Sequence, residues 1–222
     1  MTPQPYHLVL LETSGNQSFI FATNKLRENV GASEATYRAC SQWVLEAVQT
    51  LTNKALWSDN PETLKANLCN LSLNPPIETD TTPVEVLIAA SGKAILITRT
   101  LDHAKHIIKT VTLKALQEAP GLDLCGAIEP FTWDAQNLPD ISRQLHKKFE
   151  VVRSLRPSPE LRFLRLSIVE DCRTSGLPAA KLDLEPGTQT RSLPRSTVSL
   201  TKHDWARKEK LSTVVFQNSS PV

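Results

Sequence analysis

The residues of this chain best placed to do chemistry sit at three turns. Glu12 is a lone carboxylate closing the apolar run His7-Leu8-Val9-Leu10-Leu11, and Ser14-Gly15-Asn16 follows it at once. Arg27 and Glu28 lead into Val30-Gly31-Ala32-Ser33, and Ser91-Gly92-Lys93 joins two further apolar runs. A carboxylate at a strand end is a candidate ligand for a divalent ion. Two-metal chemistry on phosphates needs at least two converging acids, however, and the Ala90–Lys93 turn supplies none. Gly31 permits close backbone approach, and Ser33, taken as a helix N-cap, would expose amides suited to an anion. An ordinary capped turn accounts for the same residues. Lys93 beside Ser91 and Gly92 could meet a phosphate directly, although a solvated turn lysine explains it more simply, and the full phosphate-loop pattern is missing. The candidate nucleotide-binding residues are therefore Ser14, Gly15, Asn16, Gly31, Ser33, Ser91, Gly92 and Lys93. No residue is assigned a catalytic role, and Glu12 is the one metal-ligand candidate.

The remaining reactive residues carry less. His103 and His106 lie three apart with no third ligand in view and suit a solvated helix face. His7, His146 and His203 are isolated. Cys40, Cys69, Cys125 and Cys172 are too widely spaced for a local Cys-x-x-Cys motif. Cys40 and Cys125 fall in apolar patterns and suit a core.

The elements that must position these turns follow from hydrophobic spacing. His7–Glu12 predicts a buried strand. Ala35, Cys40, Trp43, Val44, Ala47, Val48 and Leu51 predict one helix from about Glu34 to Leu56, capped by Ser33. Residues 57–83 are Pro-containing and polar, with room for a short helix over Pro61–Leu68. Val84–Ala89 and Ala94–Thr98 predict a hairpin, Asp102 a cap for a helix ending at Pro120-Gly121, and Leu122–Glu129 a fourth strand. The order is strand, helix, strand, strand, helix, strand. That order predicts an α+β, ferredoxin-like βαββαβ domain with an antiparallel sheet and two helices on one face. Beyond it, Pro139–Ser154 predicts a helix and Arg162–Val169 a strand, whereas 170–199 should be irregular. A short charged helix over 201–211 and a disordered Gln217–Val222 tail complete the expectation. The domain is expected over 1–169, with a loop insertion at about 57–83, and the extension over 170–222.

At 222 residues, 40% hydrophobic and 22% charged, the composition fits a folded globular chain. A net charge of +2 gives no bulk case for nucleic-acid binding, which stays open only as a local patch. No apolar run is long enough to span a bilayer and Met1–Pro5 lacks the marks of a signal peptide, so a cytoplasmic location without membrane partners is expected.

Glu12, Gly15-Asn16-Gln17-Ser18-Phe19-Ile20-Phe21 and Leu26-Arg27-Glu28-Asn29-Val30-Gly31-Ala32-Ser33 resemble the palm domains of the polymerase/cyclase large subunit of type III CRISPR effector complexes, the second palm in particular. The Glu85–Ile97 hairpin, Pro120-Gly121-Leu122 and Cys172–Ala179 resemble later parts of that family in order. The resemblance implies a palm fold and a place in prokaryotic antiviral defence. Active members make cyclic oligoadenylates from ATP with paired palms and metal ions. Their hairpin carries Gly-Gly-Asp-Asp where this chain has Ser91-Gly92-Lys93, and of their Cys-rich zinc module only Cys172 remains. The implied role is a catalytically degenerate palm that binds a nucleotide or assembles with a second palm domain or effector subunits. It needs no cofactor, has ATP as its candidate ligand, and would use Mg²⁺ only beside an active partner palm. Two alternatives stand beside it: a cyclase active with a partner palm, and a ferredoxin-like regulatory or interaction module unrelated to CRISPR.

Overall fold

The computed structural model describes residues 5–78, 81–133, 137–184 and 192–208, with the side chains of 159 and 160 left aside. The chain packs as two compact units, one of residues 1–14, 37–115 and 124–156, the other of 15–36, 116–123 and 157–222. The residues expected beyond 169 thus share the second unit with 15–36, 116–123 and 157–169.

The first unit holds a four-stranded sheet of β1 (Tyr6–Ser14), β2 (Val84–Ala90), β3 (Lys93–Thr98) and β4 (Asp123–Phe131). Its spatial order is β2-β3-β1-β4, the antiparallel ferredoxin-like arrangement. β1 and β3 run side by side at the centre, with Leu8 opposite Ile97, Leu10 opposite Ile95 and Glu12 opposite Lys93. Side chains alternate across a strand, so β1 feeds two cores. Leu8 and Leu10 join Ile97, Cys125 and Ala127 on one face, while Val9 and Leu11, equally buried, point to the other.

Helix α6 (Leu138–Ser154) covers the first of these faces. Asn137 caps it by accepting from the Asp140 amide, and Ile141, Leu145 and Phe149, spaced four apart, lie buried against Leu8, Leu10 and Ile97. The expected helix after the βαββαβ core is therefore a third layer, and the sheet is covered on both faces. On the opposite face, Gly126 of β4 lets α5 (Leu101–Glu118) come close, since a Cβ there would stand 2.8 Å from an Ile108 methylene. Thr100, not Asp102, caps α5, its hydroxyl accepting from the His103 amide.

The expected single helix over 34–56 is two. α2 (Leu26–Cys40) and α3 (Gln42–Thr52) break at Ser41, whose hydroxyl donates back to the Tyr37 carbonyl. α2 also starts at Leu26, so Ser33 is not an N-cap. A short helix, α1 (Asn16–Ile20), precedes it, and α4 (Pro61–Cys69) falls where the short helix was expected.

The second unit corrects two expectations. Residues 162–169 form no strand. Pro159–Arg162 is a 3₁₀ turn, and Leu164 and Ile168 are 78% and 90% exposed. Nor is 170–199 irregular throughout: β5 (Lys181–Leu184) and β6 (Ser192–Arg195) pair antiparallel, and α7 (Thr197–Lys208) begins before residue 201. The expected tail over 217–222 lies outside the described residues.

Candidate functional site

In the first unit, the Ser91-Gly92 turn links β2 to β3 in two residues, with Ala90 opposite Lys93. Gly92 takes φ 78°, a conformation that glycine adopts without a Cβ penalty. The Thr13 amide and hydroxyl both donate to the Gly92 carbonyl, at 2.9 and 3.3 Å, which fixes the turn against the end of β1. The first strand and the hairpin are thus adjacent, as the fold order requires.

That adjacency puts Lys93 Nζ 3.0 Å from Glu12 Oε2. The same ammonium lies 3.3 Å from His146 Nε2 on α6. The His146 Nδ1 is 2.8 Å from the Ser142 carbonyl, which can only accept, so Nδ1 carries the proton and Nε2 offers its lone pair to Lys93. Lys93 is therefore held between a carboxylate and an imidazole. The pair is about one-third exposed on each side, so it is worth about 0–1 kcal/mol to the fold. Its chemical effect is larger than its stability effect. The lone acid of β1 is neutralised by the residue facing it, and among the described residues no group of three or more His, Cys, Asp or Glu could hold a metal ion.

Of the candidate binding residues, Ser14, Ser91, Gly92 and Lys93 belong to the first unit, whereas Gly15, Asn16, Gly31 and Ser33 belong to the second. Gly15 takes φ 63° as the N-cap of α1, with open space around it. Gly31 and Ser33 lie inside α2, so their amides are not those of a helix start. Gly31 answers to packing instead. A Cβ there would stand 1.7 Å from the Lys202 carbonyl oxygen of α7. Ser33 is exposed.

The second unit is organised around Glu28, which is wholly buried. Its Oε1 accepts from Arg195 Nη1 and Ser199 Oγ, each at 2.9 Å, and lies 3.4 Å from His203 Nε2. Burial pushes the carboxyl pKa up, but hydrogen bonds from His203 and Ser199, with the His203 charge, outweigh it and hold the group below its ordinary value. Lys202, also buried, donates to the Phe19 carbonyl, and burial lowers its pKa against the opposing pull of Glu28. Cys172 joins the same neighbourhood through Thr174, whose hydroxyl contacts both Cys172 Sγ and Ser199 Oγ. Burial raises its thiol, yet hydrogen bonds with Ser175 and Thr174 and with the Ser196 and Ser175 backbone bring it down to about 6.

His146, Arg195, Ser199 and His203 were not legible as partners in the sequence. Arg195 and Glu28 are 167 positions apart, and although Glu28 lies in the Leu26–Ser33 segment, nothing around Arg195 points to it as the partner.

No protein-family model matches this chain, and no curated protein matches it. Among solved structures, the chain is similar to one in the crystal structure of a Csm1–Csm4 cassette in complex with cA4, at 10% identity and a TM-score of 0.47, over 68% of this chain and 19% of that one. It is also similar to one in the apo Csm1–Csm4 cassette, at 15% identity and a TM-score of 0.40, over 70% of this chain and 19% of that one. The chain thus spans about a fifth of the length of the chains it matches.

Proposed function

We propose that this chain is a catalytically silent, palm-type domain acting as a binding and assembly module of the kind found in type III CRISPR defence. The observation that carries this reading is the Glu12–Lys93 pair. A palm that transfers nucleotidyl groups needs carboxylates converging from the first strand and the central hairpin. Here the residue opposite Glu12 is a lysine, and its ammonium pairs with the carboxylate where a second acid would be needed. Two further features support it: the β2-β3-β1-β4 order, and the resemblance of Glu12–Ser33 to the palm signature. Fold alone would not suffice, because the same order serves many regulatory modules.

The partners this reading calls for are a second palm domain or other effector subunits, with the phosphates of ATP as the candidate small ligand near Ser14, Ser91 and Lys93. The direct test incubates the purified chain with ATP and Mg²⁺ or Mn²⁺ and separates the products chromatographically. No cyclic or linear oligoadenylate is expected. Product that disappears in Glu12→Ala would overturn the reading. Calorimetry with ATP on wild type and Lys93→Ala then separates the two parts of the role. Weaker binding in the variant supports a phosphate contact, and no binding in either leaves assembly alone.

A further inference from the structure

The second unit contains a pocket of about 520 Å³ whose charged lining is entirely cationic or imidazole: Lys25, Arg27, Arg173, Arg195 and His203, with Thr174 beside them. Lys25, Arg27 and Arg173 are exposed at its mouth, and among the described residues none of their side chains makes an ion pair. Arg195 forms its floor at 4% exposure. Its Nη1 is committed to Glu28 and Ser199, yet its Nε is buried with no hydrogen-bond partner. A guanidinium N–H left unpaired in the interior is costly, and proteins rarely keep one without a use for it. Among the described residues Glu28 is the buried carboxylate that orients Arg195, Ser199 and His203 through Oε1; its Oε2 is buried without a partner as well, and it is a single negative charge against four full cations.

We infer that this pocket is a binding site for a small ligand carrying two or more adjacent phosphates. The volume falls within the range of small-ligand sites. Three arginines offer planar forks for phosphate oxygens, Lys25 a point charge, and Thr174 a hydroxyl. The charge count decides between one phosphate and several: four cations facing a single phosphate would leave uncompensated repulsion among themselves, whereas a di- or triphosphate balances them. The residues come from three separate stretches of chain: the start of α2, the turn after Cys172, and β6 with α7. That spread is why no local motif announces the site.

The test is calorimetry of the full chain with orthophosphate, pyrophosphate and ATP. Pyrophosphate is expected to bind more tightly than orthophosphate. Arg27→Ala and Arg173→Ala should each weaken pyrophosphate about tenfold or more, as expected for loss of a charge-assisted contact. The Lys25→Ala/Arg27→Ala/Arg173→Ala triple variant should abolish it. All three side chains are exposed, so an unchanged thermal melt shows that the fold survives. Lys147→Ala, at an exposed position of α6 in the first unit, should bind pyrophosphate like wild type, which shows that the loss is not a general effect of removing a surface charge. ATP binding tighter than pyrophosphate makes a nucleotide the source of the phosphates, and the reverse makes it a free oligophosphate. No pyrophosphate or ATP binding, wild-type affinity in the triple variant, or binding of single-stranded RNA alone would each overturn the proposal.

Discussion

Glu12 and Lys93 face one another across the two central strands, carboxylate to ammonium at 3.0 Å. Reversing the lysine turns the relationship into a measurable one. In Lys93→Asp, two carboxylates stand directly opposite on neighbouring strands, which costs about 0.2–1 kcal/mol by repulsion alone. The variant should melt below wild type in a chelator and recover on addition of Mn²⁺, which bridges the two acids. Wild type should show no such rescue. Scanning fluorimetry with and without Mn²⁺ checks both halves, and a variant indifferent to Mn²⁺ would show that the two positions do not converge.

Glu28 gives a pH dependence with a definite sign. Its folded pKa lies below the ordinary 4.5, so the stability it contributes is complete above that value and is lost as pH falls through the lower folded value. Glu28→Gln keeps the shape but leaves the Arg195 charge buried and uncompensated, which should cost about 3–5 kcal/mol at neutral pH. The gap between the two proteins in urea melts should therefore narrow as pH falls below 4.5. A constant gap across that range would mean that Glu28 does not titrate with folding.

Two glycines separate packing from backbone strain. Gly31→Ala drives a methyl into the Lys202 carbonyl and should cost at least about 3 kcal/mol, since neither backbone can yield without parting α2 from α7. Gly15→Ala meets nothing within 4 Å and bears only its φ of 63°, worth about 1–2 kcal/mol. Chemical denaturation of the two variants should rank them in that order.

The third layer of the first unit is equally testable. Leu145 is fully buried between α6 and the sheet, so Leu145→Ala should cost about 2–5 kcal/mol in a urea melt. A loss well under about 1 kcal/mol would mean that α6 rests on the sheet without contributing a core.

The first unit was legible because its elements obey simple periods. β1, the hairpin and β4 alternate or run apolar between turn residues, and α5 repeats Ala104, Ile107, Val111 and Ala115 on one face. α2 was legible only from Ala35 onward. Its first turns bury a carboxylate, Glu28, and a glycine, Gly31, and hydrophobic spacing registers neither as core. Residues 162–169 show the opposite error. Arg162, Leu164, Leu166 and Ile168 alternate with their neighbours like a strand, yet no neighbouring strand takes them up, and Arg162 is occupied by Asp123 at 2.6 Å instead. The hairpin lysine and its facing glutamate could be named from sequence. The imidazole of His146 could not, because nothing in the sequence says which face of the sheet α6 will cover.

The Glu28 network also sets a clock. During synthesis Glu28 emerges 167 residues ahead of Arg195, and Ser199 and His203 come later still. At about 5–20 residues per second, the start of α2 waits on the order of 10–30 s for the groups that will enclose its carboxylate. Over that interval the Gly31 face of α2 has no α7 to receive it. The described part of the second unit is therefore completed only when α7 is made, and chains stalled before Arg195 carry an open α2 face that chaperones and proteases can read.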